Sequence, residues 1–404
     1  MLRIARCTFA LLMAAPLYAQ YNQNIVRTMD YRGGTIDVSH SFGSVTIHGE
    51  KTNEVVVRAT IHASDAAIGQ AIRVEISPAT ASGVTIRTEY PSIHTQRHLS
   101  FSVEMELTVP ERAPVRVTNR FGNVDVGGTR APVDVTDAQG SVSVRDGRGT
   151  QRVENAFGKI TVQDSYGDTT IQNSNGTVDA RHIEGSLDIS NRFGPVTVDR
   201  VTHNAVITNA NGAVTATNVG GSTRNTTSFA PVSVRDVGAL HVMNQNGDVT
   251  AMDIRGTLNV DSSFGLVRAE RIHGALDVDN NNGGITASDI GGNARVRTSF
   301  GSVFLKSING SIEVESQNGG IAVSALRGRC QAMSLKTSFA TIKVGIPANT
   351  GYTVAARTSF GSVTTDVPIA ITEKSDNVLK GAINGGGCKM DLATSNGGIT
   401  LTRE

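Results

Sequence analysis

The sequence predicts an all-β fold, a single-stranded parallel β-helix (β-solenoid) built from quasi-repeats of about 18 residues, with β-rich caps at both ends. Three observations predict it: a regular recurrence of Phe-Gly and Asn-Gly pairs, alternating apolar residues within each interval, and columns of equivalent residues when the intervals are aligned. Phe-Gly stands at Phe121-Gly122, Phe157-Gly158, Phe193-Gly194, Phe264-Gly265 and Phe300-Gly301, with Phe229-Ala230 completing the series. Successive Phe are 36, 36, 36, 35 and 36 residues apart. Asn175-Gly176, Asn211-Gly212, Asn246-Gly247, Asn282-Gly283 and Asn318-Gly319 fall midway, so the period is 18, with Phe and Asn alternating at one position.

Within one unit, Leu187 and Ile189 alternate with Ser186, Asp188 and Ser190, the period-2 pattern of a half-buried strand. Asn191 and Phe193 are expected to continue the inward side, and Gly194 marks the turn. Val196 and Val198 begin a second short strand, and Val201 closes the unit. Aligned units give an inward column Ile183, Val201, Val219, Val237, Ile254, Ile272, Ile290, Ile308, and another Ile189, Ile207, Asn225, Val242, Val260, Val278, Val296, Val314. A third runs Leu187, Ala205, Thr223, Leu240, Leu258, Leu276, Ala294, Ile312, Cys330. Equivalent residues at a fixed interval require each unit to cover its neighbour's apolar face. Stacked in parallel at about 4.8 Å, the repeats over 115–345 would make roughly thirteen coils and a rod near 60 Å long. A 36-residue coil with four strands is the geometric alternative. The 18-residue coil is preferred because Val and Ala side chains would not fill the wider core.

Outside the repeats, residues 1–19 read as a secretory signal: Arg3 and Arg6, an apolar stretch from Cys7 to Leu17, then Ala19 before Gln20. No later segment approaches the length of a transmembrane helix. Residues 20–114 read as an N-terminal β-rich cap, with strands around Ile36 and Val55 and a short helix between Ala63 and Arg73. Residues 346–404 read as a C-terminal β cap of the same solenoid. Export would let Cys330 and Cys388 pair, but the place of Cys330 in the inward Leu187 column makes it a buried small hydrophobe.

Composition narrows function mainly by exclusion. Lys and Arg number 37 against 36 Asp and Glu, with no basic stripe, which argues against a nucleic-acid partner. Nine His form no zinc-type spacing, and no nucleophile elbow or phosphate loop appears. A polar column, Asn191, Asn209, Thr227, Asn244, Ser262, Asn280, Thr298 and Ser316, is read as a hydrogen-bonding ladder along the rod, not a ligand row. A second column holds Asp146, Asp164, His182, Arg200, Asn218, Asp236, Asp253, Arg271, Asp289 and Ser307. Its carboxylates raise calcium, but turn chemistry alone accounts for it. Asp277 and Asp279, Arg295 and Arg297, and Glu313 and Glu315 face outward on three successive units, as opposite charges supporting one another. Catalytic, cofactor-binding and metal-ligating residues are therefore expected to be none, and no cofactor is expected.

The chain also resembles a bacterial family of unknown function labelled "putative adhesin", related to head domains of autotransporter-like adhesins. The resemblance rests on Ser41-Phe42-Gly43-Ser44-Val45, on Leu107-Thr108-Val109-Pro110 entering the repeats, and on Asn396-Gly397-Gly398-Ile399-Thr400-Leu401. It covers nearly the whole mature chain and implies a β-solenoid without established catalytic residues. The expectation is an exported, non-catalytic adhesin-like or cell-envelope structural protein in the periplasm, at the outer membrane or outside the cell. Its expected partner is an envelope polysaccharide or protein. The alternative is a polysaccharide-active lyase or hydrolase, since sites are grafted onto parallel β-helices. Absence of Trp and of inserted loops argues against it.

Overall fold

The structure, a computed structural model, describes residues 21–77, 79–92, 99–327 and 330–404; the leader expected at 1–19 lies outside the described residues. Strands make up 65 % of the chain and helix 2 %. Strand Leu187–Phe193 pairs in parallel with Thr169–Asn175 on one side and Ala205–Asn211 on the other, with Leu187 opposite Thr169 and Ala205. Each partner is 18 residues away, so one coil is 18 residues and two strands, not 36 and four. About thirteen such coils follow one another.

The first strands of all coils form one parallel stack, here stack I, and the second strands form stack II, so the rod has only two faces with one thin core between them. In the coil of Leu187, the residues Leu187, Ile189, Val196, Val198 and Val201 are all 2 % exposed or less. Each such side chain contributes about 1.5–3 kcal/mol on burial. No coil closes its own core: the upper and lower edges of every strand pair are covered by the neighbouring coils, so stability is shared along the rod.

Both ends are built alike, and neither follows chain order. Strands Thr35–Ser39 and Val45–Glu50 form a complete coil lying directly on the coil of Val115–Phe121 and Val124–Gly127, with Ile36 opposite Val115 and Val45 opposite Val124. The chain between them loops outward to add Gly83–Glu89 and Phe101–Pro110 on the far side of that coil. Antiparallel strands Tyr21–Asp30 and Glu54–Ala63 cover that outer edge. The short helix is Ala66–Ala71, capped by the Asp65 side chain. At the other end, the last strands, Cys388–Thr394 and Ile399–Arg403, insert between the coil of Met333–Lys336 and the coil of Tyr352–Thr358. Antiparallel strands Val378–Ile383 and Ala370–Lys374 then finish stack I. The first and last coils of the sequence are thus clamped inside the rod; three of the four sheet edges end in antiparallel strands, and the fourth, in stack II at the C-terminal end, is the short parallel strand Val363–Thr365.

One expectation fails at Cys330. The interval after Ile312 is 21 residues, because strand pairing places Met333, not Cys330, opposite Ile312. Three extra residues move Cys330 out of the inward column to the turn, where it is disulfide-bonded to Cys388 with Cα atoms 5.6 Å apart. The bond ties the inserted last coil to its neighbour.

Candidate binding face

The corner where stack I turns toward stack II carries the features that recur in every coil. Along Leu187–Phe193 the side chains alternate in and out as far as Asn191, which is 4 % exposed, and the alternation then stops. Arg192 and Phe193 both face solvent, Phe193 being 44 % exposed. The inward place expected for Phe193 is therefore wrong. The chain curls over Asn191 so that its Nδ2 donates to the carbonyls of Gly194 (2.9 Å) and Gly176 (3.4 Å). That curl turns the next two side chains outward.

The same bonds repeat along the rod. Asn155 donates to Gly140 at 2.8 Å, Asn209 to Gly194 and Gly212 at 3.0 and 2.8 Å, Asn244 to Gly247 at 2.8 Å, and Asn280 to Gly265 at 2.9 Å. The polar column is a structural ladder that satisfies turn carbonyls. The glycines are equally structural. Gly158 has φ +139°, and a methyl group there would overlap the carbonyl oxygen of Gly140 in the coil below. The residue before each of these glycines points away from the core.

Those residues form a stripe. Phe121, Phe157, Phe193, Phe229, Phe264 and Phe300 are each 41–65 % exposed. Between them stand Gln139, Asn175, Asn211, Asn246 and Asn282 at the same register position, and Asn318 follows Phe300. The alternation survives the C-terminal reordering. Phe339 follows Asn318, the inserted last coil places Asn396 next, and Phe360 comes after it. Eight exposed Phe thus lie two coils, or about 10 Å, apart. Beside the stripe, three depressions of about 580, 620 and 240 Å³ lie along stack I, from Thr136 to Gln317. Their lining is mostly short and polar, including Thr136, Gln172, Ser190, Thr208, Thr226 and Asp261.

Two titratable groups are strongly perturbed. Asp137 occupies the ladder column between Asn119 and Asn155, is 3 % exposed, and neither carboxyl oxygen makes a well-aligned hydrogen bond. Burial pushes its carboxyl up to about 6, against a smaller downward pull from the N–H groups of Ala138 and Gln139 and the Asn119 amide. In the N-terminal cap, burial lowers His40 to about 4; its Nδ1 lies 2.9 Å from Thr88 Oγ1.

On the opposite corner, the Asp-rich column from Asp146 to Ser307 is the left-handed residue of each coil, with φ between +51° and +59° throughout. Asp and Asn tolerate this conformation best, which accounts for their prevalence there. His182 Nδ1 lies 2.6 Å from Asp164, and Arg271 Nε 2.6 Å from Asp253, so carboxylates of this row face bases of the next coil. The bond from Arg271 holds Asp253 below the usual carboxylate range. Among the described residues, no group of three or more His, Cys, Asp or Glu is placed to hold a metal ion, and no helix is long and apolar enough to cross a membrane. On stack I, Asp277 and Asp279 lie opposite Arg295 and Arg297, which in turn lie opposite Glu313 and Glu315. Arg295 and Glu313 are 3.6 Å apart.

Sequence reasoning missed both the outward stripe and Asp137. Extending the Asn191 column back by 18-residue steps reaches Asn173, Asn155 and Asp137, so that signal was present. The stripe had no local signal, because simple alternation from Leu187 puts Phe193 inside.

No curated protein matches the sequence. Among solved structures, the crystal structure of a "putative cell adhesion protein" from Clostridium sporogenes matches over 95 % of this chain and 100 % of that one, at 8 % identity and a TM-score of 0.19. That likeness is too low to bear on role. The Toastrack family profile, DUF4097, matches residues 35–402, from the first strand of the clamped first coil to the end of the inserted last coil, and the chain belongs to that family.

Proposed function

We propose that this chain is an exported, non-catalytic, adhesin-like protein of the cell envelope that seats an extended polysaccharide or protein segment along stack I. The observation that carries the reading is the run of depressions from Thr136 to Gln317, floored by the Asn–Gly ladder and lined mainly by hydroxyl and amide side chains, with Asp279, Arg297 and Glu315 at its far end. Such groups hydrogen-bond hydroxyls or main-chain amides and leave an elongated partner room to lie along the rod. The Cys330–Cys388 bond supports export, because disulfides persist in oxidising compartments.

A glycan-cleaving reading has one observation in its favour: Asp137 and Glu154 line the same depression, and a carboxyl raised toward 6 suits a general acid. Against it, Asp137 is buried within the ladder, and Glu154 is engaged by Arg152. The test is a glycan array and an envelope-fraction pull-down with residues 20–404, repeated with Ser190→Arg plus Thr208→Arg to block the floor. Saturable binding lost in the double variant is the expected result. Binding untouched by it removes the depressions as the seat, and turnover of a bound glycan overturns the non-catalytic reading.

A further inference from the structure

We propose that the phenylalanine stripe is a self-association seam, along which two copies of this chain pair antiparallel with their rings interleaved. The fold does not need the rings, since alternate coils carry Asn or Gln at the same place. Sterics do not impose the alternation either. At the N-terminal end, Phe42 and Phe121 sit on adjacent coils and stack with centroids 5.2 Å apart and planes within 6°. An uninterrupted Phe column is therefore feasible, and skipping every second coil leaves a slot between successive rings. Two coils span about 10 Å, so a ring entering that slot would lie about 5 Å from each neighbour, within the range for paired aromatics. The object carrying rings at that same pitch is a second copy of the stripe.

Area and charge agree with this occupant. Eight rings 41–81 % exposed present roughly 900 Å² at about 200 Å² per phenylalanine, and a stable interface buries about 800 Å² per partner. The positions flanking the stripe are mostly Ser, Ala, Gly, Pro, Thr, Asn or Gln; Arg120, Lys159, Arg192 and Asp248 are the charges there. Depletion of charge around aromatic residues is the composition of an interface core.

Symmetry fixes the orientation. A two-fold axis along the rod keeps equal heights together and sets Phe against Phe. A two-fold axis perpendicular to the rod, passing between a Phe coil and an Asn coil, sets every ring of one copy over an Asn or Gln of the other and closes the assembly as a dimer. This pairing is independent of whether stack I seats a polymer.

The experiment is sedimentation equilibrium on residues 20–404 from 0.1 to 100 μM, with two variants. Phe193→Asn plus Phe229→Asn installs the residue the column already carries on alternate coils, and Asn211→Phe fills a slot in the manner of Phe42 and Phe121. A dimer weakened at least tenfold by each variant, with unchanged circular dichroism and melting, is expected. A spin label at Ser174 should then report the two labels tens of ångströms apart along the rods. A monomer at 100 μM overturns the proposal, as does a dimer indifferent to both variants, or labels side by side as in a parallel pair. Should the double Asn variant misfold, Asn211→Phe alone decides.

Discussion

Replacing Asp137 by Asn should stabilise the rod several-fold more above pH 6 than near pH 4. The neighbouring ladder amides donate to glycine carbonyls: Asn119 to Gly122 at 3.0 Å and Asn155 to Gly140 at 2.8 Å. A carboxylate in that row has no proton to donate and is cut off from water. Its folded-state pKa of about 6 lies above the 3.8 of an ordinary aspartate, so between those values the folded chain holds a proton that the unfolded chain has released. Stability from this group is fully present below pH 3.8 and is lost as pH rises through 6. Two pKa units correspond to about 3 kcal/mol, and an Asn donating to the turn adds about 1 kcal/mol at any pH. For a chain of this length the pH 8 gain of about 4 kcal/mol amounts to a melting shift of about 5 °C. His40 runs the other way. Held near 4 when folded, it resists the proton that the unfolded chain takes up below about 6.5, so its environment costs stability as pH falls. The two effects oppose each other in the wild-type profile, and the difference between variant and wild type isolates Asp137. Calorimetry at pH 4 and 8, with amide exchange read in residues 133–157, is the assay. A gain of the same size at both pH values, or none at pH 8, would refute the ionised, desolvated carboxylate.

Four further outcomes follow from the same geometry. Gly176→Ala, at φ +150° against the Gly158 carbonyl, should cost more than about 2 kcal/mol from left-handed strain and displaced backbone, read by urea denaturation. Asn209→Ala, which strips a buried donor from the Gly194 and Gly212 carbonyls, should cost about 1–3 kcal/mol by the same measurement. Reducing Cys330–Cys388, which closes a separation of 58 residues, should remove up to about 4 kcal/mol, with faster amide exchange confined to residues 333–404. His40→Gln should flatten the acid side of the stability profile between pH 6.5 and 4, measured by thermal melting.

Where the sequence pattern is set by burial, it is readable. The columns through Ile189 and Ile183 are the observed register partners, residue for residue, because an inward position in a thin two-stack core accepts only what fills it. The ladder was legible for a similar reason, since buried amides at one turn must bond along the rod. Legibility ends where geometry departs from strict alternation. The curl over Asn191 turned Phe193 outward, and three extra residues before Met333 moved Cys330 to the turn. The order of coils at each end was hidden as well. Residues 35–50, assigned with the N-terminal region, form a full coil of the rod, and nothing local announces that residues 51–110 are an excursion to its far side.

That hidden order gives independent weight to the stripe. In the sequence, Phe339 and Phe360 are consecutive members of the series, and a rod built in chain order would set them on adjacent coils. The strand Cys388–Thr394 instead pairs with both Met333–Lys336 and Tyr352–Thr358, and the Asn396 that follows it falls between the two rings. A tandem duplication of 36-residue units would account for alternation along thirteen consecutive coils, but not for its continuation across a coil drawn from the end of the chain. From Phe121 to Phe360 the Phe and Asn pattern therefore follows position in space more closely than position in sequence; only the N-terminal coil of Phe42 departs from it. A constraint that acts on the assembled surface, and not on the repeat as copied, is what a partner reading one ring every two coils would impose.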